Sequence, residues 1–385
     1  MELNQTIALF TPSLAGGGAE RVMLSLARGF VDRGYSVDMV LSTPAGQYFD
    51  QVDGRVRIVH LGAKRVLSSL PGLIKYIRRN KPHAILATQA HANVVALIAR
   101  SLSGVPTRII VRDSNSVAGA AGHVSNTISA RIANALARHL YVKADGVVAV
   151  CQDMKDEIWQ RTTVPLDKIT VIYNPVDMDT ISRKVREPSG NCWLDAPTRK
   201  VILSVGRLEE QKDFASLIRA LSIVRQKVDV CLVILGDGRL RRGLIELAES
   251  LGLQDFVDLP GFVDNPYSFI ARADVFVLSS LFEGLPNVLL EALAVGTPIV
   301  ATDCRTGPRE ILRDGKDGRL VPIKNPSALA DAIVATLGSE GRPATDAESL
   351  LRFTLGNVVD QYLRLLVPQT RQKSALTKKH DPVEK

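Results

Sequence analysis

Aromatic residues make up only 5% of this 385-residue sequence, and no basic stretch is interleaved with them. A groove that stacks single-stranded nucleic acid on aromatic rings is therefore not expected, and neither is a nucleic-acid partner. Cysteine is as scarce: Cys151, Cys192, Cys231 and Cys304 stand far apart, with no Cys-x-x-Cys pair. That spacing excludes a zinc knuckle and a disulfide framework and fits reduced thiols in a cytoplasmic protein. The sequence opens on a strand-like segment and not on a basic-then-apolar leader. It contains no apolar run of bilayer-spanning length, so any membrane contact is expected to be peripheral.

What is present is an ordinary globular composition, 46% hydrophobic and 23% charged, in a chain long enough for two domains. Lysine and arginine exceed aspartate and glutamate by eight, 48 against 40. A surplus of this kind attracts phosphorylated substrates or an anionic membrane surface. Part of it lies in residues 64–81, with Arg65, Lys75, Arg78 and Arg79. Peripheral contact with an anionic membrane is one expectation from that stretch; a solvated helix face is the other. Residues 368–385, with Arg371, Lys373 and Lys378, read as a basic flexible tail.

Short apolar runs alternate with helix-period segments. The pattern predicts strands at 7–10, 36–41, 57–61, 84–88, 108–112 and 146–150, with helices near 19–33, 70–80, 92–101 and 125–141. Between 173 and 200 the alternation breaks at Pro175, Pro188, Gly190 and Pro197, which marks a hinge. It restarts with strands at 201–205, 230–235, 256–259, 275–278 and 298–302 and ends in a helix near 358–366. The expected fold class is α/β, two Rossmann-like doubly wound domains facing each other across a cleft. The expected boundaries are an acceptor-binding domain at 1–178, a linker at 179–199 and a nucleotide-binding domain at 200–345. A helical segment at 346–367 is expected to pack back on the first domain.

Three clusters carry chemistry. Gly16, Gly17 and Gly18 sit between the first strand and a helix opening at Ala19-Glu20-Arg21, where the backbone can approach an anion at the helix start. A tight strand-to-helix turn would use the same residues. The third glycine of a dinucleotide fingerprint is replaced by Arg21, and the second strand ends in Leu41-Ser42-Thr43, with Asp38 in its interior; no nicotinamide cofactor is expected.

In the second half, a strand runs into Gly206-Arg207-Leu208-Glu209-Glu210-Gln211-Lys212, which puts two cations in the crevice where such sheets bind ligands. The planar fork of arginine suits a diphosphate, and lysine adds a mobile point charge. The third cluster is Glu283-Gly284-Leu285-Pro286-Asn287 with Glu291 eight residues after Glu283, around a helix start that Pro286 favours. Carboxylates so spaced on a helix lie about 12 Å apart along its axis, the reach from a hexose to the ribose of a nucleotide sugar.

Glu283-x7-Glu291, Gly206-Arg207 with Lys212, Gly236-Asp237-Gly238 and the Gly16–Gly18 loop occur in one order along residues 6–365. Together they resemble the large retaining glycosyltransferase family that includes bacterial polysaccharide, lipopolysaccharide and phosphatidylinositol mannosyl transferases. The resemblance implies a GT-B fold and transfer of a hexose or N-acetylhexosamine from a nucleotide diphosphate sugar, by preference a UDP-sugar, to a glycan or lipid-linked acceptor. It implies that Arg207 and Lys212 hold the diphosphate, Glu283 the donor sugar and Glu291 the ribose. It further implies that Gly206, Gly236, Asp237 and the backbone of Gly284, Leu285, Pro286 and Asn287 line the donor site. Phe262 and Val263 would meet the base, and Gly17 the distal phosphate.

No cofactor and no essential metal are implied. Many members carry a histidine after the fifth strand; here Arg112-Asp113-Ser114-Asn115 stands in its place. His91, Asp113 and Asn115 are the acceptor-side candidates. A sugar-nucleotide epimerase or glycan phosphorylase could use the same architecture, and a two-lobed sugar-binding protein is the non-enzymatic alternative.

Overall fold

The computed structural model describes residues 5–15, 17–43, 46–114, 135–339 and 347–368. The first sheet comprises β1 (Thr6–Thr11), β2 (Ser36–Leu41), β3 (Arg57–His60), β4 (Ala84–Thr88), β5 (Arg108–Asp113), β6 (Gly146–Ala149) and β7 (Ile169–Val171). The second comprises β8 (Lys200–Val205), β9 (Val230–Leu235), β10 (Val257–Gly261), β11 (Val275–Leu278), β12 (Ile299–Thr302) and β13 (Arg319–Val321). All pairings are parallel, in the orders β3-β2-β1-β4-β5-β6-β7 and β10-β9-β8-β11-β12-β13.

Parallel strands covered on both faces must be apolar throughout, and β4 and β9 are buried at every position. The helices that cover the first sheet are α1 (Gly18–Asp32), α2 (Leu70–Asn80), α3 (Ala90–Ser103) and α4 (Gln152–Arg161). Two short helices follow, α5 (Met178–Lys184) and α6 (Cys192–Asp195). The second sheet carries α7 (Phe214–Val224), α8 (Arg241–Ser250), α9 (Pro266–Arg272), α10 (Asn287–Val295), α11 (Pro308–Ile311) and α12 (Pro326–Leu337). The described chain closes with α13 (Ala347–Leu351) and α14 (Leu355–Leu366).

Helix α14 returns to the first sheet. Its apolar stripe, Val358, Val359, Tyr362 and Leu366, is buried in one cluster with Ile7, Leu9, Met23 and Phe30. The approach to α1 is close enough that a Cβ on Gly29 would collide with Val359. Arg108 donates to the carbonyl of Leu365 at 2.5 Å, which ties the end of α14 to β5.

The stretch read as a linker holds more structure than its proline and glycine content suggests. α5 and α6 begin there at the side-chain caps Asp177 and Asn191, and Ile181 and Leu194 are buried. Asn191 also donates to Asp258 at 2.6 Å, and Arg272 pairs with Asp195 at 3.1 Å, so the segment is laid along the second domain. Asp38, which a dinucleotide site would need at a strand end, is instead a buried partner of Arg57 and of the Tyr76 hydroxyl.

In each sheet the strand order reverses once, between β1 and β4 and between β8 and β11. Ligands of doubly wound sheets bind outside the carboxyl ends of the strands at such a switch point. Here the two switch points open on one shared cavity of about 610 Å³, lined by both domains. That volume lies in the ordinary range for small-molecule sites.

Candidate active site

The C-terminal wall is built where β8 ends. Past Gly206 the chain turns through Arg207 to Lys212, and the Lys212 ammonium donates to Glu283 Oε1 at 2.5 Å. The Ser280 hydroxyl donates to the same oxygen at 2.6 Å, and Gln211 reaches Oε2 at 3.4 Å. This carboxylate is thus held by three donors while 6% of the residue is exposed. Arg207 is exposed and lines the cavity, with no side-chain partner among the described residues.

One cation is paired beside another that is free, an arrangement that favours an incoming anion. Helix α10 starts at Asn287 behind Pro286 and has no side-chain cap, so its first N–H groups add to that preference at the cavity wall. Gly236 holds φ +128°, and a Cβ there would strike the carbonyl of Gly206. Phe262 stands at the rim, 37% exposed, with its ring 6.4 Å from that of Tyr48.

The N-terminal wall begins at Gly17, the uncapped start of α1. Glu20 folds back over that start: Gln89 donates to its Oε1 at 3.1 Å, and a Cβ on Gly17 would collide with its carboxylate. Gln89 holds φ +75°, strained for a residue other than glycine, in the turn between β4 and α3. Arg21 donates to Glu291 Oε1 at 3.0 Å and to the Tyr48 hydroxyl at 3.1 Å. Burial alone would lower the Arg21 pKa; the charge of Glu291, with Tyr267 and Tyr48, outweighs it and raises the guanidinium above its usual value.

In the cavity wall, fully buried Arg112 donates to Thr88 at 3.0 Å and to Asn174 at 2.5 Å. Asn174 in turn donates to Asn287 at 2.6 Å and to the carbonyl of Leu285 at 3.0 Å. Asn287 donates to the carbonyl of Gly18 at 2.9 Å, which completes a polar seam between the two domains.

Each donor-side residue predicted from the sequence lines this cavity, from Gly17 and Gly18 through Gly206, Arg207 and Lys212 to Glu283 and Glu291; Gly16 lies outside the described residues. The acceptor-side expectations fare differently. Asn115 lies outside the described residues. His91, in the first turn of α3, is not among the cavity-lining residues. Asp113 is corrected from a cleft residue to a core one: it is 4% exposed and its carboxylate pairs with Arg161 of α4. Burial raises the Asp113 pKa, and Arg161 opposes that rise. Side chains alternate along β5, so it is the following residue, Ser114, that reaches the cavity.

Glu20, Arg21, Tyr48, Gln89, Asn174 and Gln211 were not singled out as site residues. Glu20 and Arg21 had a signal in the helix start beside the glycine loop; Tyr48 and Gln89 had none.

Among the described residues no three His, Cys, Asp or Glu side chains converge as metal ligands, and no helix is long and apolar enough to cross a membrane. Two Rossmann-type domains with facing switch points, and a cavity that pairs cations with carboxylates between them, define the GT-B class. Comparisons with known proteins agree. The family description Glycosyl transferases group 1 matches residues 193–346, and Glycosyltransferase Family 4 matches residues 16–180. The lipopolysaccharide core biosynthesis glycosyltransferase LpsE of Rhizobium meliloti is 30% identical over 368 residues, 91% of this chain and 96% of that protein.

A Campylobacter jejuni relative, N-acetylgalactosamine-N,N'-diacetylbacillosaminyl-diphospho-undecaprenol 4-alpha-N-acetylgalactosaminyltransferase, is 29% identical over 351 residues, 86% of this chain and 90% of that one. Among solved structures, Anabaena Alr3699/HepE in complex with UDP and glucose superposes with a TM-score of 0.78 at 22% identity, covering 94% of this chain and 99% of that one. A glycosyltransferase from Rickettsia africae superposes with a TM-score of 0.76 at 17% identity, covering 96% and 100%. The chain belongs to the glycosyltransferase family and has the GT-B fold.

Proposed function

We propose that this glycosyltransferase moves a hexose or N-acetylhexosamine from a UDP-sugar to a glycan or lipid-linked acceptor, with retention of configuration, in the synthesis of a bacterial surface polysaccharide. The observation that carries the reading is the Lys212–Glu283 contact together with Arg207, which has no side-chain partner among the described residues, on the same cavity wall as the uncapped start of α10. The relatives' names, a lipopolysaccharide core enzyme and an undecaprenol-diphosphate enzyme, support the acceptor class, and UDP with glucose bound to the Anabaena protein supports the donor.

In this reading Arg207 and Lys212 neutralise the diphosphate as the bond from the anomeric carbon to the leaving phosphate oxygen breaks. Glu283, fixed by its three donors, accepts hydrogen bonds from sugar hydroxyls. Phe262 lies against the base, and Glu291 accepts from the ribose. The acceptor oxygen bonds to the anomeric carbon on the same face, its proton passes to the departing phosphate oxygen, and nucleoside diphosphate is released. Two cations and a helix start supply charge stabilisation that a divalent metal would otherwise give, so transfer is expected to survive chelation. The enzyme would act at the cytoplasmic face of the inner membrane, in peripheral contact through the basic surface of residues 64–81.

The test is a panel of nucleotide sugars assayed for nucleoside diphosphate release with and without acceptor glycans, followed by NMR of the new linkage. Acceptor-dependent release with an unchanged anomeric configuration supports the proposal. An inverted product, or a glycosyl group trapped on a carboxylate of the enzyme, contradicts the front-face route.

A further inference from the structure

We infer that Arg21, a residue of the N-terminal domain, fixes the ribose specificity of the donor site by holding Glu291; this rests on the reading of Glu291 as the ribose acceptor. Glu291 sits in α10 and is 5% exposed. Its Oε1 accepts from Arg21 at 3.0 Å, whereas its Oε2 is buried with no hydrogen-bond partner among the described residues. A buried carboxylate oxygen without a donor is costly to keep, and this residue is part of the cavity wall. A ribose hydroxyl is the donor that the cavity can bring to it.

Arg21 is itself seated by both domains. Its guanidinium donates to Tyr48 at 3.1 Å and lies 5.4 Å from the centre of that ring, with the Tyr267 ring of α9 at 6.0 Å. The geometry has two consequences. Removing Arg21 leaves Glu291 a buried charge without a counter-ion, and frees its side chain to turn away from the ribose. Because the pair joins the two domains, it forms only when they face each other as they do here. Arg21 thus acts through Glu291, as a positioning residue.

The experiment is calorimetric binding of the nucleoside diphosphate that the wild-type enzyme releases, compared with its 2′-deoxy and 3′-deoxy analogues. Wild-type protein should bind the parent at least about tenfold more tightly than the weaker-binding analogue, as sites built around a hydroxyl do. In Arg21→Ala that ratio should fall to about threefold or less, with KM for donor rising more than kcat falls. Arg21→Lys keeps the charge but not the fork that spans Glu291 and Tyr48, and serves as the second variant should the alanine protein not fold; it should give an intermediate ratio. A Glu291→Gln protein separates the two ideas. Unchanged discrimination in Glu291→Gln overturns the ribose assignment and the role of Arg21 with it. Discrimination lost in Glu291→Gln but kept in both Arg21 variants overturns the role of Arg21 alone.

Discussion

The C-terminal wall of the cleft draws its two cations and two glutamates from two contiguous stretches, residues 206–212 and 283–291, whereas the N-terminal wall gathers its residues from the ends of several strands. Glu20 and Arg21 follow β1, Tyr48 follows β2, Gln89 follows β4, Ser114 follows β5 and Asn174 follows β7. A diphosphate makes the same demand whatever sugar it carries: cations and N–H groups at fixed spacing. One strand end with its helix start can meet that demand. An acceptor makes demands that vary with its shape, and loops at separate strand ends can be changed one at a time to meet them. The contrast implies that substitutions on the C-terminal wall damage chemistry, while those on the N-terminal side divide between structure and alignment.

The largest effect is expected for Lys212→Ala. Losing one of the charges aimed at the leaving group should lower kcat by about 10²–10³, and the melting temperature should fall as well because Glu283 is left buried without its counter-ion. A kcat near that of wild type would remove the distinction between the walls. Next comes Asp113→Asn, which removes the charged partner of half-buried Arg161 and should cost roughly 2 kcal/mol in urea unfolding. The acceptor KM should stay unchanged; a raised acceptor KM without lost stability would return Asp113 to the site.

Gly284→Ala tests the seam between the walls, since its Cβ would strike the carbonyl of Ser114. Transfer should fall by about tenfold to a hundredfold because the reacting groups no longer align. Cys151 reports the same event: its thiol lies 3.7 Å from the Gly284 carbonyl, and burial pushes its pKa up to about 12. The raised pKa keeps it protonated and unreactive at pH 8, so alkylation should label exposed Cys192 in both proteins and Cys151 only in the variant. The smallest effect is expected for Phe262→Ala, a rise of about threefold to tenfold in donor KM with kcat nearly unchanged, from loss of one aromatic face against the base.

The sequence carried the sheet strands well where they are long and apolar. β4, β9 and β11 fall at the predicted residues because a strand buried on both faces leaves a nearly uninterrupted apolar run. β7 and β13 leave no such run: each has three residues at a sheet edge, too few for a period to appear. Helix α4, Gln-Asp-Met-Lys-Asp-Glu-Ile-Trp-Gln-Arg, buries only Met154, Glu157 and Ile158 and so gives little amphipathic signal. α12 was also missed, although Asn325 and Pro326 spell out its cap and first turn.

At the site, the C-terminal residues were legible because one motif holds them at fixed spacing. Tyr48 and Gln89 were not, because only the folded chain brings residues 48 and 89 to one cavity with residues 21 and 291. Asp113 misled because an acid at a strand end reads alike whether it faces a ligand or, as here, an arginine of the neighbouring helix.

The most direct test of the central claim compares nucleoside diphosphate with nucleoside monophosphate binding in wild-type protein and in the Arg207→Ala/Lys212→Ala double variant. If these two cations hold the leaving diphosphate, wild-type protein prefers the diphosphate by at least about tenfold and the double variant loses that preference while still binding the base. A double variant that keeps the full preference would contradict the account.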